Sequence, residues 1–256
     1  MILGIDVGTC FTKGVLVQDG KLIWRTKTLS EASPVNAVNK IFEVLKNEKG
    51  ISDSDLKDLI LTGWGCSRIP GRKTNELVAS LVRGAIWDQP SSRAVLCMGS
   101  QESIVVKYND SGRVTGYVRN DKCASGAGKF LEIICNALEC QVEDIAAIAS
   151  KADKKIRISN QCAVFTESEV VSLVNDGESV ENIVGAVLAA LTVNIASLCK
   201  RIVKNETLVL SGGLAKNEKI CRLIQDALAV ETVVFRPEPD YIAAIGAALS
   251  AKGEGK

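Results

Sequence analysis

The segment ILGIDVGTCFTKGVLV, residues Ile2 to Val17, decides the fold class of this 256-residue chain. It contains two apolar stretches joined by a turn at Gly8, and the polar turn Gln18-Asp19-Gly20 and the apolar stretch KLIWRTKTL follow it. The order of strand, glycine turn, strand, polar turn and strand predicts a β-meander.

The same pattern recurs 91 residues later, in the segment AVLCMGSQESIVVKY at residues 94 to 108. Under this single offset Gly8 aligns with Gly99, and Asp19 aligns with Asp110. A helical pattern follows each unit, at about 34–47 and 128–138. The repeat therefore predicts two related α/β lobes around a cleft.

The rest of the chain is predicted to add helices and strands to both lobes. We expect further strands at 58–61, 207–210 and 233–235, and further helices at 74–87, 164–174, 183–202, 217–228 and 242–251. The first lobe is expected at 1–90, with the C-terminal helix at about 241–256 packing back on it, and the second lobe at 91–240.

Composition narrows the possible functions. The 31 basic and 30 acidic side chains nearly cancel, which argues against a nucleic-acid or anionic-membrane partner. Histidine is absent, so histidine catalysis and histidine-ligated metal sites are excluded. Nine cysteines and an N-terminus without a signal-peptide pattern indicate a reducing cytoplasm. The apolar run at 183–199 contains polar residues and falls short of a membrane span, so it is expected to be a buried helix.

The segment GIDVGTCFTKG, Gly4 to Gly14, has the residues of a phosphate-binding turn. The backbone N–H groups of such a turn can cradle phosphate oxygens, and Asp6 can hold magnesium through water. A purely structural hairpin turn is the alternative for this segment alone. The aligned turn at Gly99 and a later glycine pair, Gly212-Gly213, favour a nucleotide site.

Two further segments each contain one cysteine ahead of a helical pattern: DKCASGAGKFLE at 121–132 and ISNQCAVFTESEV at 158–170. The N-terminal end of a helix favours anions, so Cys123 and Cys162 suit a metal or an iron–sulfur cluster. Two thiolates are half of a four-thiolate site, and a symmetric dimer would complete it. Zinc on the same four thiolates is the alternative.

The other cysteines have simpler interpretations. Cys135, Cys199 and Cys221 fall within helical patterns and Cys140 follows one, so all four are expected to pack as small apolar groups.

Taken together, these motifs resemble the ATPase activators of 2-hydroxyacyl-CoA dehydratases and the ATP-binding subunits of benzoyl-CoA reductases. The resemblance runs from GIDVGT through TGWG, NDKCASGAGKFLE, NQCAVFTESEVVSL and SGGLAKN to YIAAIGAAL. It implies an actin-like ATPase (ribonuclease H-like) fold that binds ATP or ADP with Mg²⁺ in the cleft. It also implies a homodimer that shares one 4Fe–4S cluster through Cys123 and Cys162 of both subunits, with a pair of homologous subunits as the alternative.

The activity implied by the resemblance is ATP-driven transfer of low-potential electrons. The acceptor would be a cluster-containing dehydratase or reductase, and the donor a ferredoxin or flavodoxin. The residues expected to act on water are Gln101 and Glu102. The residues expected to bind nucleotide are Asp6, Gly8, Thr9, Cys10, Lys13, Gly99, Ser100, Gln101, Gly212, Gly213 and Asn217.

The second phosphate motif departs from the family pattern D-I-G-G-Q-D-x-K. Cys97 occupies the place of its first aspartate and Ile104 that of its lysine, and the internal repeat shows the same two losses. A thiol is a poor substitute for a hard oxygen ligand. We therefore expect nucleotide binding with slow hydrolysis, and the alternatives are a hydrolysis-impaired regulatory subunit or a small-molecule kinase of the same superfamily.

Overall fold

The computed structural model describes residues 1–120, 128–158, 163–236 and 238–251. The chain forms two compact units. The first comprises Met1–Val95, Tyr108–Thr115 and Phe235–Lys256, and the second comprises Leu96–Lys107 and Gly116–Val234. The described strands lie in two five-stranded sheets.

The first sheet is formed by Ile2–Val7 (β1), Phe11–Gln18 (β2), Lys21–Leu29 (β3), Asp58–Thr62 (β4) and Lys73–Thr74 (β5). Its order is β3-β2-β1-β4-β5. β1 pairs antiparallel with β2 and parallel with β4, and all six of its residues are buried. This central position explains why β1 is almost continuously apolar. At the β2–β3 hairpin Asp19 and Gly20 both have positive φ, as a tight hairpin turn requires.

The second sheet is formed by Ala94–Met98 (β6), Ser103–Tyr108 (β7), Val114–Arg119 (β8), Leu208–Ser211 (β9) and Thr232–Val234 (β10). Its order is β10-β9-β6-β7-β8. Read from its β8 edge, this sheet has the same strand order as the first. The predicted internal repeat is therefore confirmed at the level of topology.

The described residues also form eight α-helices: Pro34–Lys49 (α1), Leu77–Asp88 (α2), Gly128–Ala137 (α3), Ile145–Ala149 (α4), Ala163–Asn175 (α5), Val180–Lys200 (α6), Glu218–Leu228 (α7) and Ile242–Ser250 (α8). The sequence marks α1 clearly at both ends. The Ser33 hydroxyl accepts a hydrogen bond from the Asn36 amide, and Gly50 ends the helix in the left-handed conformation.

One prediction of secondary structure needs correction, and one short helix was not predicted. The helix expected from residue 74 begins at Leu77, because Lys73–Thr74 form β5 and pair parallel with β4. The Asn75 amide continues this pairing by donating to the Leu61 carbonyl at 2.8 Å. The five-residue helix Ile145–Ala149 was not predicted, since one helical turn is too short to show a periodic pattern.

In the first unit, α8 packs closely against β1 and α2, and small residues make this possible. A Cβ added at Gly246 would lie 1.8 Å from the Ser80 carbonyl oxygen in α2. The sequence IAAIGAAL is therefore required by the closeness of the neighbouring backbones rather than by helix propensity.

In the second unit, α6 is the most apolar of the long helices. It is long and apolar enough to cross a membrane, but 67% of its most apolar 18-residue window is buried within the structure. Its buried residues include Ile183, Leu191 and Cys199. The prediction of a buried helix is confirmed.

Candidate functional site

The first glycine turn carries an ion pair at its base. Asp6, at the end of β1, is 7% exposed, and its Oδ2 lies 3.0 Å from Lys13 Nζ. Asp6 and Lys13 are register partners in the antiparallel β1–β2 pair, so the sheet holds their side chains together. Gly63, in the turn after β4, is also close, because an added Cβ there would lie 2.4 Å from Asp6 Oδ1.

A serine that sequence reasoning missed holds this turn in place. The Ser30 hydroxyl donates to the Gly8 carbonyl at 2.6 Å, and its amide donates to the Cys10 carbonyl at 2.9 Å. Ser30 also forms a hydrogen bond with the buried Thr12 hydroxyl. The turn through Gly8, Thr9 and Cys10 is thus fixed from the end of β3, and no local pattern signals a contact between residues 22 positions apart in sequence.

The second glycine turn is bound to the N-terminal end of α3. Its own bond runs from the Gly99 amide to the Glu102 carbonyl at 2.9 Å. The Gly128 amide donates to the Gly99 carbonyl at 2.9 Å, and the Lys129 amide donates to the Ser100 carbonyl at 2.7 Å. The first two residues of α3 therefore hold the turn directly, which the sequence analysis did not predict.

The third glycine turn lies against β6. Gly212 has a φ of 87°, and a Cβ added there would lie 2.3 Å from the Met98 carbonyl oxygen. Within the second unit the structure thus places the Gly212 turn directly beside the strand that leads into Gly99. Asn217 lies further along the chain and caps α7, where its side chain accepts from the amides of Lys219 and Ile220.

The predicted catalytic residues differ in their surroundings. Gln101 is exposed. The Glu102 Oε2 atom lies 3.8 Å from Nη1 of Arg119 in β8, a cation that was not identified from the sequence. Cys97 is partly buried, and Ile104 is 4% exposed. The second half of the repeat therefore has a thiol and a buried aliphatic side chain where the first half has Asp6 and Lys13.

The predicted cluster ligands, Cys123 and Cys162, lie outside the described residues. The helices that follow them are described: α3 begins at Gly128 and α5 at Ala163, and the two helices contact each other. Neither helix has an acidic residue in its first turn. Both N-terminal ends therefore favour anionic ligands. Cysteine thiolates are the usual ligands of iron–sulfur clusters, so the two predicted ligands of each chain are chemically suited to such a cluster. The described residues contain no group of three or more histidine, cysteine or acidic side chains that could hold a metal ion.

Three of the remaining cysteines, Cys135, Cys199 and Cys221, pack as predicted. Cys199 and Cys221 are buried, and burial raises the pKa of the Cys199 thiol to about 12 and that of Cys221 to about 11. Cys66 is partly exposed beside the first turn. Burial first, and then the negative charge of Asp6, raise its pKa. The thiols of Cys66, Cys199 and Cys221 are therefore kept protonated at neutral pH.

Comparison with known proteins identifies the family. The sequence pattern of the BadF/BadG/BcrA/BcrD ATPase family matches residues 3–251. The chain belongs to this family.

Two relatives match along most of their length. The chain is 31% identical over 258 residues to the 2-hydroxyisocaproyl-CoA dehydratase activator of Clostridioides difficile, covering 99% of this chain and 96% of that protein. It is 30% identical over 256 residues to a benzoyl-CoA reductase chain of Thauera aromatica, covering 96% of this chain and 91% of that protein.

A solved structure gives the same result. The activator of the 2-hydroxyisocaproyl-CoA dehydratase from Clostridium difficile, with bound ADPNP, superposes with a TM-score of 0.90 at 28% identity, and the match covers 100% of this chain and 98% of that one. The predicted actin-like ATPase fold is confirmed for this member of the family.

Proposed function

We propose that the chain is an ATP-dependent activator that passes low-potential electrons to a partner enzyme of the 2-hydroxyacyl-CoA dehydratase or benzoyl-CoA reductase type. Membership of the ATPase family and full-length similarity to a dehydratase activator support this proposal. The observation that carries it is the pair of hydrogen bonds from Gly128 and Lys129 to the Gly99–Ser100 turn. They connect a candidate phosphate turn to the helix that follows Cys123.

We propose that ATP or ADP, with magnesium, binds with its phosphates against both glycine turns. In the first turn, Gly8, Thr9 and Cys10 provide backbone amides, while Asp6 holds the metal ion through water and Lys13 supplies positive charge. In the second turn, Gly99 and Ser100 have the corresponding role, and Gln101 and Glu102 orient the attacking water. The nucleoside is assigned to Gly212-Gly213 and the neighbouring Asn217.

We further propose that two copies of the chain share one 4Fe–4S cluster through Cys123 and Cys162 of each. When bound, such a cluster supplies a one-electron carrier. Cys162 directly precedes α5, and the positive end of a helix stabilises a thiolate near it. The proposed electron donor is a ferredoxin or flavodoxin, and the proposed compartment is the cytoplasm.

Anaerobic purification followed by iron and zinc analysis and a visible spectrum tests the cluster. We expect about four iron atoms per dimer in the wild type and a loss of most of this iron in Cys123→Ala and in Cys162→Ala. Cys66→Ala is the matched control, because it removes a partly exposed thiol outside the proposed ligand set and should keep full iron. Zinc in place of iron, or full iron in Cys123→Ala, would contradict the assignment.

Substitutions of Gly128 test the connection between the turn and α3. An added Cβ would come no closer than 3.5 Å to its neighbours, so Gly128→Ala fits and keeps the amide donor. Gly128→Pro removes that donor and directs a ring carbon, about 1.45 Å from the nitrogen, at the Gly99 carbonyl. Since the nitrogen and that oxygen are 2.9 Å apart, the turn must move away from α3.

The two variants should therefore differ in nucleotide binding. By calorimetry with magnesium and ATP, we expect Gly128→Ala to bind like the wild type and Gly128→Pro to bind at least about tenfold more weakly, since it loses a hydrogen bond and shifts the turn. Folding is checked by circular dichroism. Folded Gly128→Pro protein with wild-type affinity for ATP would show that this contact does not control the turn.

A second candidate function is favoured by one observation. Because Cys97 and the buried Ile104 replace an aspartate and a lysine, the chain could bind nucleotide as a regulatory subunit that hydrolyses it poorly. This candidate predicts tight ATP binding with neither iron nor electron transfer. The same anaerobic iron analysis distinguishes it from the activator.

A further inference from the structure

The C-terminal end of α3 places two cysteines in a defined cap. The Cys140 amide donates to the Cys135 carbonyl at 2.9 Å, and the Glu139 amide donates to the Asn136 carbonyl at 3.3 Å. Glu139 has a φ of 53°, which is uncommon for a residue other than glycine. These two bonds and the left-handed residue define a Schellman motif, with Cys135 as its third-last helical position and Cys140 as the residue after the left-handed one.

A Schellman motif commonly brings the side chains of these two positions into contact. Here both are thiols, and Cys140 lies close enough to Cys135 to raise the pKa of the Cys135 thiol. Cys135 is 1% exposed, whereas Cys140 is partly exposed. Both were predicted to pack as small apolar groups, and Cys135 does so. Cys140 is instead partly reached by solvent.

We propose that Cys135 and Cys140 are a site of reversible disulfide formation that caps α3. The oxidant is a low-molecular-weight disulfide. The partly exposed Cys140 thiolate attacks one sulfur of that disulfide, forms a mixed disulfide and displaces the other half as a thiolate. Cys135 then loses its proton and attacks the Cys140 sulfur, which displaces the second half. The protein loses two thiol hydrogens, and the oxidant is reduced to two thiols.

The order of these steps follows from accessibility and acidity. An oxidant in solution can reach Cys140 but not Cys135. Burial raises the pKa of Cys135 to about 12, and the neighbouring Cys140 and the nearby charges of Glu143 and Glu132 add to this effect. Cys135 is therefore the slower, resolving thiol, since only the thiolate attacks a disulfide.

The disulfide would act on a helix that already has a structural role. α3 begins with the two amides that hold the Gly99–Ser100 turn, and the cross-link would fix its opposite end. In a reducing compartment such a bond is transient and redox-sensing rather than structural. This inference does not depend on a bound cluster or on the proposed activity.

The experiment is thiol mapping of the full-length protein, purified without air and equilibrated in glutathione buffers of increasing disulfide fraction. After acid quenching, free thiols are alkylated under denaturing conditions and the peptides are analysed by mass spectrometry. We expect a peptide that contains a Cys135–Cys140 disulfide and is lighter by two hydrogen atoms than the same peptide in its reduced form. It should disappear when dithiothreitol is added. Deuterium exchange at residues 138–140 should slow when the link is present.

Three variants separate the roles of the two thiols. Cys135→Ser should accumulate glutathione on Cys140, since the resolving thiol is missing. Cys140→Ser should neither form the link nor take up glutathione on the buried Cys135. Cys199→Ser, which removes a buried thiol elsewhere, should form the 135–140 link as the wild type does.

Two results would overturn the proposal. One is complete alkylation of both Cys135 and Cys140 in the wild type at every glutathione ratio. The other is a mapped disulfide that joins either cysteine to a different partner in preference. Because the wild-type protein alone gives both results, misfolding of a variant leaves the test intact.

Discussion

Substitution of Gly212 tests whether the backbone at this position requires glycine. Gly212 has a φ of 87° and a ψ of 174°, a region that is essentially restricted to glycine. An added Cβ would lie 2.3 Å from the Met98 carbonyl oxygen and within 2.7 Å of the Met98 nitrogen. Because these are backbone atoms of the buried strand β6, they cannot rotate away from the added methyl group. Gly212→Ala must therefore displace the turn from β6.

The magnitude follows from these two contributions. A residue other than glycine in this conformation costs about 1–3 kcal/mol. Forcing an extra methyl group into a packed site costs about 1–3 kcal/mol more. The expected loss of about 2–6 kcal/mol is a large share of a typical unfolding free energy of about 5–15 kcal/mol. For a chain of this length, the melting temperature should fall by about 5–20 °C.

The neighbouring glycine provides the matched control. A Cβ added at Gly213 meets nothing within 4 Å, so Gly213→Ala should change stability by less than about 0.5 kcal/mol. Thermal and urea unfolding followed by circular dichroism measure both variants, and ATP calorimetry then tests the nucleotide assignment. Stable Gly213→Ala protein should bind ATP more weakly, because the methyl group enters the proposed nucleoside site. Equal stability of Gly212→Ala and Gly213→Ala would refute the reasoning.

Three further predictions concern other parts of the chain. Cys97→Asp should raise steady-state ATP hydrolysis, measured as phosphate release from anaerobic protein, and a rate that stays unchanged both there and in Glu102→Gln would show that neither side chain acts on water. Burial by itself would raise the pKa of Glu206, but hydrogen bonds from Lys107 and from backbone amides lower it to about 2. This folded-state pKa is below the unfolded value of about 4.3, so the stabilisation is present above about pH 4.3 and is lost as the pH falls to about 2. The unfolding free energies of the wild type and Glu206→Gln, measured in urea, should therefore differ at pH 7 and converge near pH 2. Gly246→Ala should separate α8 from the α2 backbone and lower the melting temperature by at least about 5 °C in a thermal scan, and an unchanged value would mean that the two helices reseat freely.

The sequence was most informative where structure is set locally. Alternating apolar residues and turn residues such as Asp19-Gly20 predicted the meander, and one offset predicted its recurrence in the second sheet. Helix α1 is marked by Ser33 at its start and Gly50 at its end. In contrast, β5 is two residues long and exists only because Thr74 lies beside Leu61, a pairing that leaves no periodic signal.

The same limit applies to the site. The glycine turns were predicted because turn residues have strong local preferences. The contacts that hold the turns were not, since the Ser30 hydroxyl and the Gly128 amide come from distant segments. The thiol pair at the end of α3 was also missed. It depends on Glu139 adopting a left-handed conformation that its residue type does not favour.

The two halves of the repeat have kept their topology and diverged in charge, and this contrast separates stability from function. The Asp6–Lys13 ion pair is largely buried, and a pair of this kind adds little to stability because both charges lose hydration. The corresponding positions of the second half, Cys97 and Ile104, contain no charge, yet the strand order there is the same. The fold therefore does not require the ion pair. The contrast supports the proposed role of Asp6 and Lys13, because a magnesium nucleotide would use a carboxylate and an ammonium group at this turn. By the same reasoning, the change at Cys97 should affect turnover while leaving folding intact.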